Sequence, residues 1–492
     1  MTIYRSFIGG KWIDASSGKT LPNVNPADTN DIIGEAQICT REDTRRAIEA
    51  AYAAFKEWRN TPAPVRGRVL TLAARLMEQH KEELAQMLTR EEGKIIAEAR
   101  GEVQRATNVV EFCAGETRRM NGEYIPSELR DNYAYTIKEP HGVVGLITPW
   151  NFPIAIPAWK IAPALAAGNT VVFKPASNTP ACAVRLVELF VEAGVPDGVL
   201  NLIIGSGGEV GDEIVNHPAV RAVSFTGSSE IGFKMYQEVA KRGIPFQAEM
   251  GGKNPVVIMP DCDLDLAVEH TAAGAFGSTG QRCTATSRAI VVGSIAEPFI
   301  EKIVERAKAY RLGPGVDEAS EIGPSVDEAQ FNTVLKYIDI GREDGATLLC
   351  GGKKAEGDGL ENGYFVEPTV FDNVTPDMRI AREEIFGPVL GIMRVDSFEE
   401  AMAVANDCEY GLSSSIFSND YNTITQFINE IESGMTHVNS PTTGGEAHIP
   451  FGGIKATGIG PREQGSTALD FYTELKVVYV DHTGRKREGN LY

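Results

Sequence analysis

No two cysteines in this chain form a CxxC pair, and their total of seven is odd. Cys39, Cys113, Cys182, Cys262, Cys283, Cys350 and Cys408 are scattered instead, which argues against a disulfide scaffold or a structural zinc site. We expect reduced thiols, a reducing compartment and no metal. Basic charge is also short: 47 Lys and Arg against 67 Asp and Glu leave a formal net charge of −20. So acidic a chain repels phosphates, and no nucleic-acid partner is expected. No apolar run reaches the length that crosses a bilayer. The opening MTIYRSFIGGKWIDASSGK lacks the basic-then-apolar order of a signal peptide. The expectation is a cytoplasmic protein with no membrane partner.

What is present is enough for more than one core. At 492 residues, about two to four domains are expected. EDTRRAIEAAYAAFKEW (42–58) and VRGRVLTLAARLMEQHKEELAQMLTREEGK (65–94) repeat apolar residues at helical spacing. From His141 the texture changes to short Val/Ile/Phe-rich runs stopped by Gly, Pro or small polar residues: GVVGLITPWN, NTVVFKPAS, GVLNLIIG, RAVSFTGS and NPVVIMP. Helical stretches separate them, which predicts a parallel, doubly wound α/β sheet covered on both faces. A second α/β alternation runs from about Gly252 to about Val438. LDFYTELKVVYVD near the end reads as a strand with no evident partner, available to another subunit.

Several loops could carry chemistry. GAFGSTGQRCTATSR (274–288) sets Cys283 among small residues that give access and backbone N–H groups. An inert buried thiol is the competing reading. A thiol nucleophile often has a histidine base, yet the seven histidines stand in no suggestive motif. Glu249 in QAEMGGKNP follows an expected strand and precedes a Gly-Gly turn, so it reads as a base or as a capping glutamate. Asn151 in ITPWNFP, held between prolines, reads as an oxyanion donor or as a turn residue. FTGSSEIG opens a helix behind Gly227, with Ser228 or Ser229 capping it or meeting a phosphate. IIGSGGEVG spaces Gly205, Gly207 and Gly211 as GxGxxxG, unlike the Rossmann GxGxxG. Lys174 in FKPAS ends an apolar strand, where it reaches a ligand or simply solvent.

Together TPWNFP, FKPAS, FTGSSEIG, EMGGKNP, GQRCTATSR, EEIFGPV and PFGGIKATGIGPRE resemble the aldehyde dehydrogenase superfamily, in its order and over nearly the whole chain. The interval from Glu249 to Cys283 matches that family's base-to-nucleophile separation. The resemblance implies Cys283 as nucleophile, Asn151 with the Cys283 backbone N–H as oxyanion hole, and Glu249 as general base. It implies a cofactor channel at Thr148, Pro149 and Trp150, a pyrophosphate site at Gly227 and Ser228, and Glu384 and Phe386 at the nicotinamide end. Lys174, Ala176, Ser177, Gly207, Gly211, Phe225 and Met250 complete the cofactor set, and Glu463 would assist proton exit. Phe152, Trp159, Arg282, Thr284, Ser440 and Pro441 would border the substrate. Arg282 either pairs with a carboxylate or turns away to brace its loop.

The implied fold is α/β: a parallel doubly wound dinucleotide-binding domain (1–120 and 139–251), a second α/β catalytic domain (252–464) and a β-strand oligomerisation arm (121–138 and 465–492). Dimers or tetramers would follow. The implied activity is NAD(P)-dependent oxidation of an aldehyde through a thiohemiacetal and a thioester. Ser177 stands where NAD-preferring relatives often carry glutamate, and with Lys174 nearby NADP is expected ahead of NAD. The GQRCTATSR and NSPTTGGEAHIPFGG stretches are similar to the branch that oxidises 2-oxoglutarate semialdehyde (2,5-dioxopentanoate). Succinate semialdehyde and other short aldehydes compete. Coenzyme A-dependent acyl transfer and a non-catalytic binding role are the other classes; Glu249 speaks against the first and the full Asn151, Glu249 and Cys283 set against the second.

Overall fold

The computed structural model describes residues 2–484; Met1 and 485–492, the ends of the expected dinucleotide domain and arm, lie outside the described residues. Two large sheets dominate. The first has eight strands, in the order Gly458–Ile459, Phe246–Glu249, Val220–Thr226, Val143–Ile147, Thr170–Lys174, Leu200–Leu202, Ser6–Ile8 and Lys11–Ile13. Its central members run parallel. Val143–Ile147 and Thr170–Lys174 are buried at every position, as strands covered on both faces must be. Both ends are antiparallel, formed on one side by the Ser6–Ile8 and Lys11–Ile13 strands and on the other by Gly458–Ile459. Short, polar edge strands carry little periodic signal, which is why the sequence shows only the parallel centre.

The second sheet has seven strands, with Val389–Val395, Thr286–Val292, Asn254–Ile258 and Ser413–Phe417 at its centre. All its strands lie between Asn254 and Val438, and only Thr347–Cys350 runs antiparallel. The Gly458–Ile459 strand leaves this part of the chain and pairs beside Phe246–Glu249, so residues from both sheets meet next to Glu249.

The helices follow the apolar spacing closely. The first pattern folds as Arg41–Asn60, opened by a capping box between Thr40 and Asp43. The second, read as one helix, splits into Ala63–Gln79 and Lys81–Glu92 at His80, whose φ of −99° and ψ of 14° leave the helical region. Helix Ala155–Ala167 is buried along its whole length, and Lys160 is its one charged residue.

The terminal strand Thr473–Asp481 has a partner in its own chain. It pairs antiparallel with Asn132–Pro140 along its full length, and Tyr124–Pro126 adds a third strand. The two strands lie more than three hundred residues apart, so no local turn signal could announce the pairing. This small sheet leaves Tyr124, Leu475, Val477 and Tyr479 exposed.

Candidate active site

Cys283 is delivered by an unusual turn. Helix Leu264–Phe276 runs into Gly277–Gly280, where Ser278, Thr279 and Gly280 take φ of 48°, 57° and 66°. Left-handed conformations cost energy at non-glycine residues and persist only when the surroundings enforce them. Here the Thr279 hydroxyl donates to the Gly323 carbonyl at 3.0 Å, and the Val326 N–H donates to Gln281 Oε1 at 3.0 Å. At Gly280 a Cβ would fall 2.2 Å from the Gly387 carbonyl oxygen, so only glycine fits. Behind the thiol, Asn254 Nδ2 donates to the Cys283 carbonyl at 2.8 Å. Burial, with the Glu384 and Glu249 carboxyls, pushes the Cys283 thiol up to about 12, while Arg105 pulls the other way.

Asn151 meets this turn from the first sheet. Its Nδ2 donates to the Gln281 carbonyl at 3.0 Å, which leaves the second amide N–H free. Its own carbonyl accepts from Lys94 Nζ at 2.6 Å, and Lys94 also bonds Glu102 at 2.7 Å. The other Glu102 oxygen accepts the N–H groups of Ile154 and Ala155 at 2.9 and 3.1 Å. Burial lowers the Lys94 pKa, but the Glu102 and Glu92 carboxylates outweigh it and the net shift is upward. Glu92, sealed beside them, is pushed up to about 8 by burial.

Glu249 ends strand Phe246–Glu249 and is buried against Gly452, where a Cβ would lie 2.3 Å from its Oε1. Its Oε2 has no hydrogen-bond partner. Burial, then Glu463, drives its pKa well above the ordinary carboxylate value. Glu463 is ion-paired with Lys160, which also bonds Ser224 Oγ at 2.7 Å. The carboxylates of Glu249 and Glu463 thus share one sealed compartment behind the thiol.

A cavity of about 290 Å³ opens in front of it. Cys283 and Asn151 line its inner end, with Pro149, Trp150 and Phe386 along the wall. Trp150 and Phe386 meet edge to face at 5.4 Å. Gly227, Ser228, Met250 and Glu384 complete the sequence-expected residues in this lining. The cavity's size and aromatic wall suit the nicotinamide end of a dinucleotide, with the Gly227–Ser228 turn at its edge for a phosphate. Gly227 lies at the end of strand Val220–Thr226 and before helix Ser229–Arg242, and the Ser228 side chain makes no capping bond. Glu384 accepts the Gly252 N–H at 2.9 Å and is pushed up to about 7 by burial.

The remaining expected residues sit farther out or behind. Thr148 is buried, and its N–H bonds the Lys174 carbonyl at 3.1 Å. Lys174 Nζ donates to the Pro175 carbonyl at 3.0 Å, Ala176 is half-buried, and Ser177 Oγ donates to the Gly205 carbonyl at 3.0 Å. Gly207 and Gly211 bound a short π-turn, and Phe225 packs under Gly227. Phe152 lies under the Lys94 ammonium at 4.1 Å, and Trp159 stands 5.8 Å from Phe451. Thr284, Ser440 and Pro441 flank the thiol turn: the Thr284 carbonyl accepts from Thr442 and the Ser440 carbonyl from Ser415. Arg282 takes the bracing alternative, bonding Glu98 at 2.8 Å and Ser278 Oγ at 3.0 Å, and it does not line the cavity. Sequence reasoning missed Lys94, Glu102, Gln281, Lys160 and Arg105. Only Lys160 carried a legible signal, as a lone charge in an apolar helix.

The chain matches the Aldehyde dehydrogenase family over residues 12–478. The chain belongs to the aldehyde dehydrogenase family. It is 46% identical over 477 residues to an alpha-ketoglutaric semialdehyde dehydrogenase of Bacillus subtilis (strain 168), covering 97% of this chain and 98% of that one. A 2,5-dioxopentanoate dehydrogenase of Saccharolobus solfataricus is 44% identical, covering 96% and 98%. Among solved structures, betaine aldehyde dehydrogenase of Staphylococcus aureus in complex with NAD+ superimposes with a TM-score of 0.96 at 37% identity, covering 98% of this chain and 95% of that one. The fold is therefore the aldehyde dehydrogenase fold, and the activity is NAD(P)-dependent aldehyde oxidation. For this aldehyde dehydrogenase the raised thiol pKa has a direct consequence. Thiolate is the reactive form, so inactivation of the cofactor-free enzyme by iodoacetamide should rise by about tenfold per pH unit from pH 6 to 9. A rate that levels off near pH 7 contradicts the protonated resting thiol.

Proposed function

We propose that the enzyme oxidises 2-oxoglutarate semialdehyde to 2-oxoglutarate. The observation that carries this is the 46% identity, over nearly the full chain, to enzymes named for that aldehyde. Cys283 Sγ adds to the aldehyde carbon, and its proton passes to the base. The free Asn151 N–H and the Cys283 backbone N–H take the oxyanion that forms. Bound in the cavity, the nicotinamide supplies the acceptor for the hydride that leaves the aldehyde carbon. A thioester on Cys283 follows. Glu249 removes a proton from water, the oxygen adds to the thioester carbon, the carbon–sulfur bond breaks and the carboxylate leaves. Lys160 and Glu463 offer the proton a way out.

Water fits this reading better than coenzyme A, because Glu249 lies buried beside the thiol with an unpartnered oxygen. Succinate semialdehyde is the second reading for substrate. The half-exposed apolar strip of the three-stranded sheet supports self-association into dimers or tetramers, with no nucleic-acid or membrane partner; among the described residues no helix is long and apolar enough to cross a membrane. The acidic chain and its free thiols support a cytoplasmic location.

Two experiments test the reading. Across 2-oxoglutarate semialdehyde, succinate semialdehyde and uncharged aldehydes, the first should show the highest kcat/KM, and Cys283→Ser should abolish turnover with all. A serine variant that keeps most of its rate contradicts the nucleophile. For the cofactor, Ser177 brings no carboxylate against a 2′-phosphate and Lys174 lies close, which supports NADP ahead of NAD; relatives solved with NAD+ bound make NAD the rival. Burial lowers the Lys174 pKa to about 8. Only the ammonium pairs with a phosphate, so the NADP-over-NAD preference should hold below pH 8 and fall by about tenfold per pH unit above it. A ratio that ignores pH, or favours NAD throughout, contradicts it.

A further inference from the structure

Arg105 projects from helix Ile96–Glu116 into the interior without a carboxylate to neutralise it. Among the described residues it makes no ion pair. Its one hydrogen bond runs from Nη2 to Gln464 Oε1 at 3.3 Å, and its Nε is sealed from solvent with no partner. The guanidinium carbon lies 5.1 Å from the Trp159 ring and 5.9 Å from the Phe451 ring. Two neighbours share its condition: Trp159 Nε1 and Gln464 Nε2 are also buried donors without acceptors. A half-buried cation with a sealed Nε, and two spare buried N–H groups on the side chains it touches, form a site that lacks an anion, since unpaired buried donors are costly. Glu102, on the same helix, is already engaged by Lys94 and by the Ile154 and Ala155 N–H groups.

The location matches a substrate rather than a structural ion. A second cavity, about 600 Å³, lies between this helix and the Gly445–His448 loop, and Arg105 forms part of its wall along with Gln104, Asn108 and Phe112. At Gly445 a Cβ would come within 2.8 Å of Arg105 Nη2, so the loop closes tightly over the guanidinium. Arg105 is also near enough to Cys283 to act on its thiol, though Cys283 lines the other cavity. The guanidinium therefore stands between an open cavity and the sulfur.

We propose that Arg105, helped by the Trp159 and Gln464 N–H groups, holds the distal carboxylate of an aldehyde that reaches Cys283 through the cavity beside helix Ile96–Glu116. This rests on the reading that the substrate is a semialdehyde with a second acid group. The relatives' names agree in chemistry: 2-oxoglutarate semialdehyde, and the malonate semialdehyde of a Geobacillus kaustophilus enzyme 42% identical to this chain, both end in a carboxylate. Arginine suits the task because its fork can meet both carboxylate oxygens while its face stacks on rings. Arg282, which the sequence leaves between pairing with a carboxylate and bracing its loop, is already spent on Glu98.

The test compares Arg105→Gln, Arg105→Lys and Trp159→Phe with the parent enzyme on 2-oxoglutarate semialdehyde, succinate semialdehyde and pentanal, with melting temperatures measured alongside. Arg105→Gln should lower the kcat/KM of each semialdehyde relative to that of pentanal on the order of 100-fold, mostly through KM, because any effect on the thiol is common to all three aldehydes and cancels in the ratio. Arg105→Lys should recover part of the loss, and Trp159→Phe should weaken the semialdehydes selectively. Equal losses on charged and uncharged aldehydes would mean that Arg105 only packs, and would overturn the proposal, as would an unchanged semialdehyde KM. The parent enzyme's ranking judges the substrate separately: if succinate semialdehyde outranks 2-oxoglutarate semialdehyde, the substrate reading falls while the Arg105 ratio still decides the anchor. If pentanal matches both acids in the parent, both fall.

Discussion

The buried Lys94 ammonium is the constraint on which the site depends. It binds Glu102 and the Asn151 carbonyl, and Glu102 holds the backbone of Ile154 and Ala155. Asn151 then reaches across to the Gln281 carbonyl. One chain of hydrogen bonds thus links the long helix, the oxyanion loop and the thiol turn. Buried ion pairs add little net stability because desolvation offsets their attraction. What this one supplies is position: if Lys94 were removed, Glu102 would keep its two backbone partners but the Asn151 carbonyl would lose its anchor.

Position matters because the reacting groups come from different sheets. Asn151 follows one strand of the eight-stranded sheet and Glu249 ends another, whereas Cys283 precedes a strand of the seven-stranded one. Two glycines let them meet: Gly280 brings its backbone against that of Gly387, and Gly452 makes room for the Glu249 carboxyl. The same burial that fixes them shifts both groups upward: the Cys283 thiol becomes harder to ionise, and the Glu249 carboxylate becomes a stronger base than a solvated one.

How much of this the sequence discloses follows the range of each interaction. Apolar periodicity reveals helix Arg41–Asn60 and the parallel centre of the first sheet because these patterns are local. The short loops around Asn151, Gly227, Glu249 and Cys283 stand out because glycine, proline and small residues interrupt apolar runs there. The break at His80 is invisible, since both flanks keep helical spacing. The partner of Thr473–Asp481 is invisible because it lies so far back in the chain. Lys94, at the end of a helical pattern, and Arg105, beyond it, look like ordinary solvated charges in the sequence, and only tertiary packing brings them to the site. For Arg282, next to the nucleophile, the sequence leaves two roles open, and the turn that presents Cys283 settles on bracing by pointing its neighbour towards Glu98.

The central claim is that Cys283 carries the substrate as a thioester which Glu249 then releases. Mass analysis of Glu249→Gln, quenched after mixing with cofactor and 2-oxoglutarate semialdehyde, tests it most directly. The account predicts one acyl group per subunit, on the peptide holding Cys283, formed together with about one equivalent of reduced cofactor and followed by little turnover. An unmodified Cys283, or steady-state turnover equal to that of the parent enzyme, would contradict it.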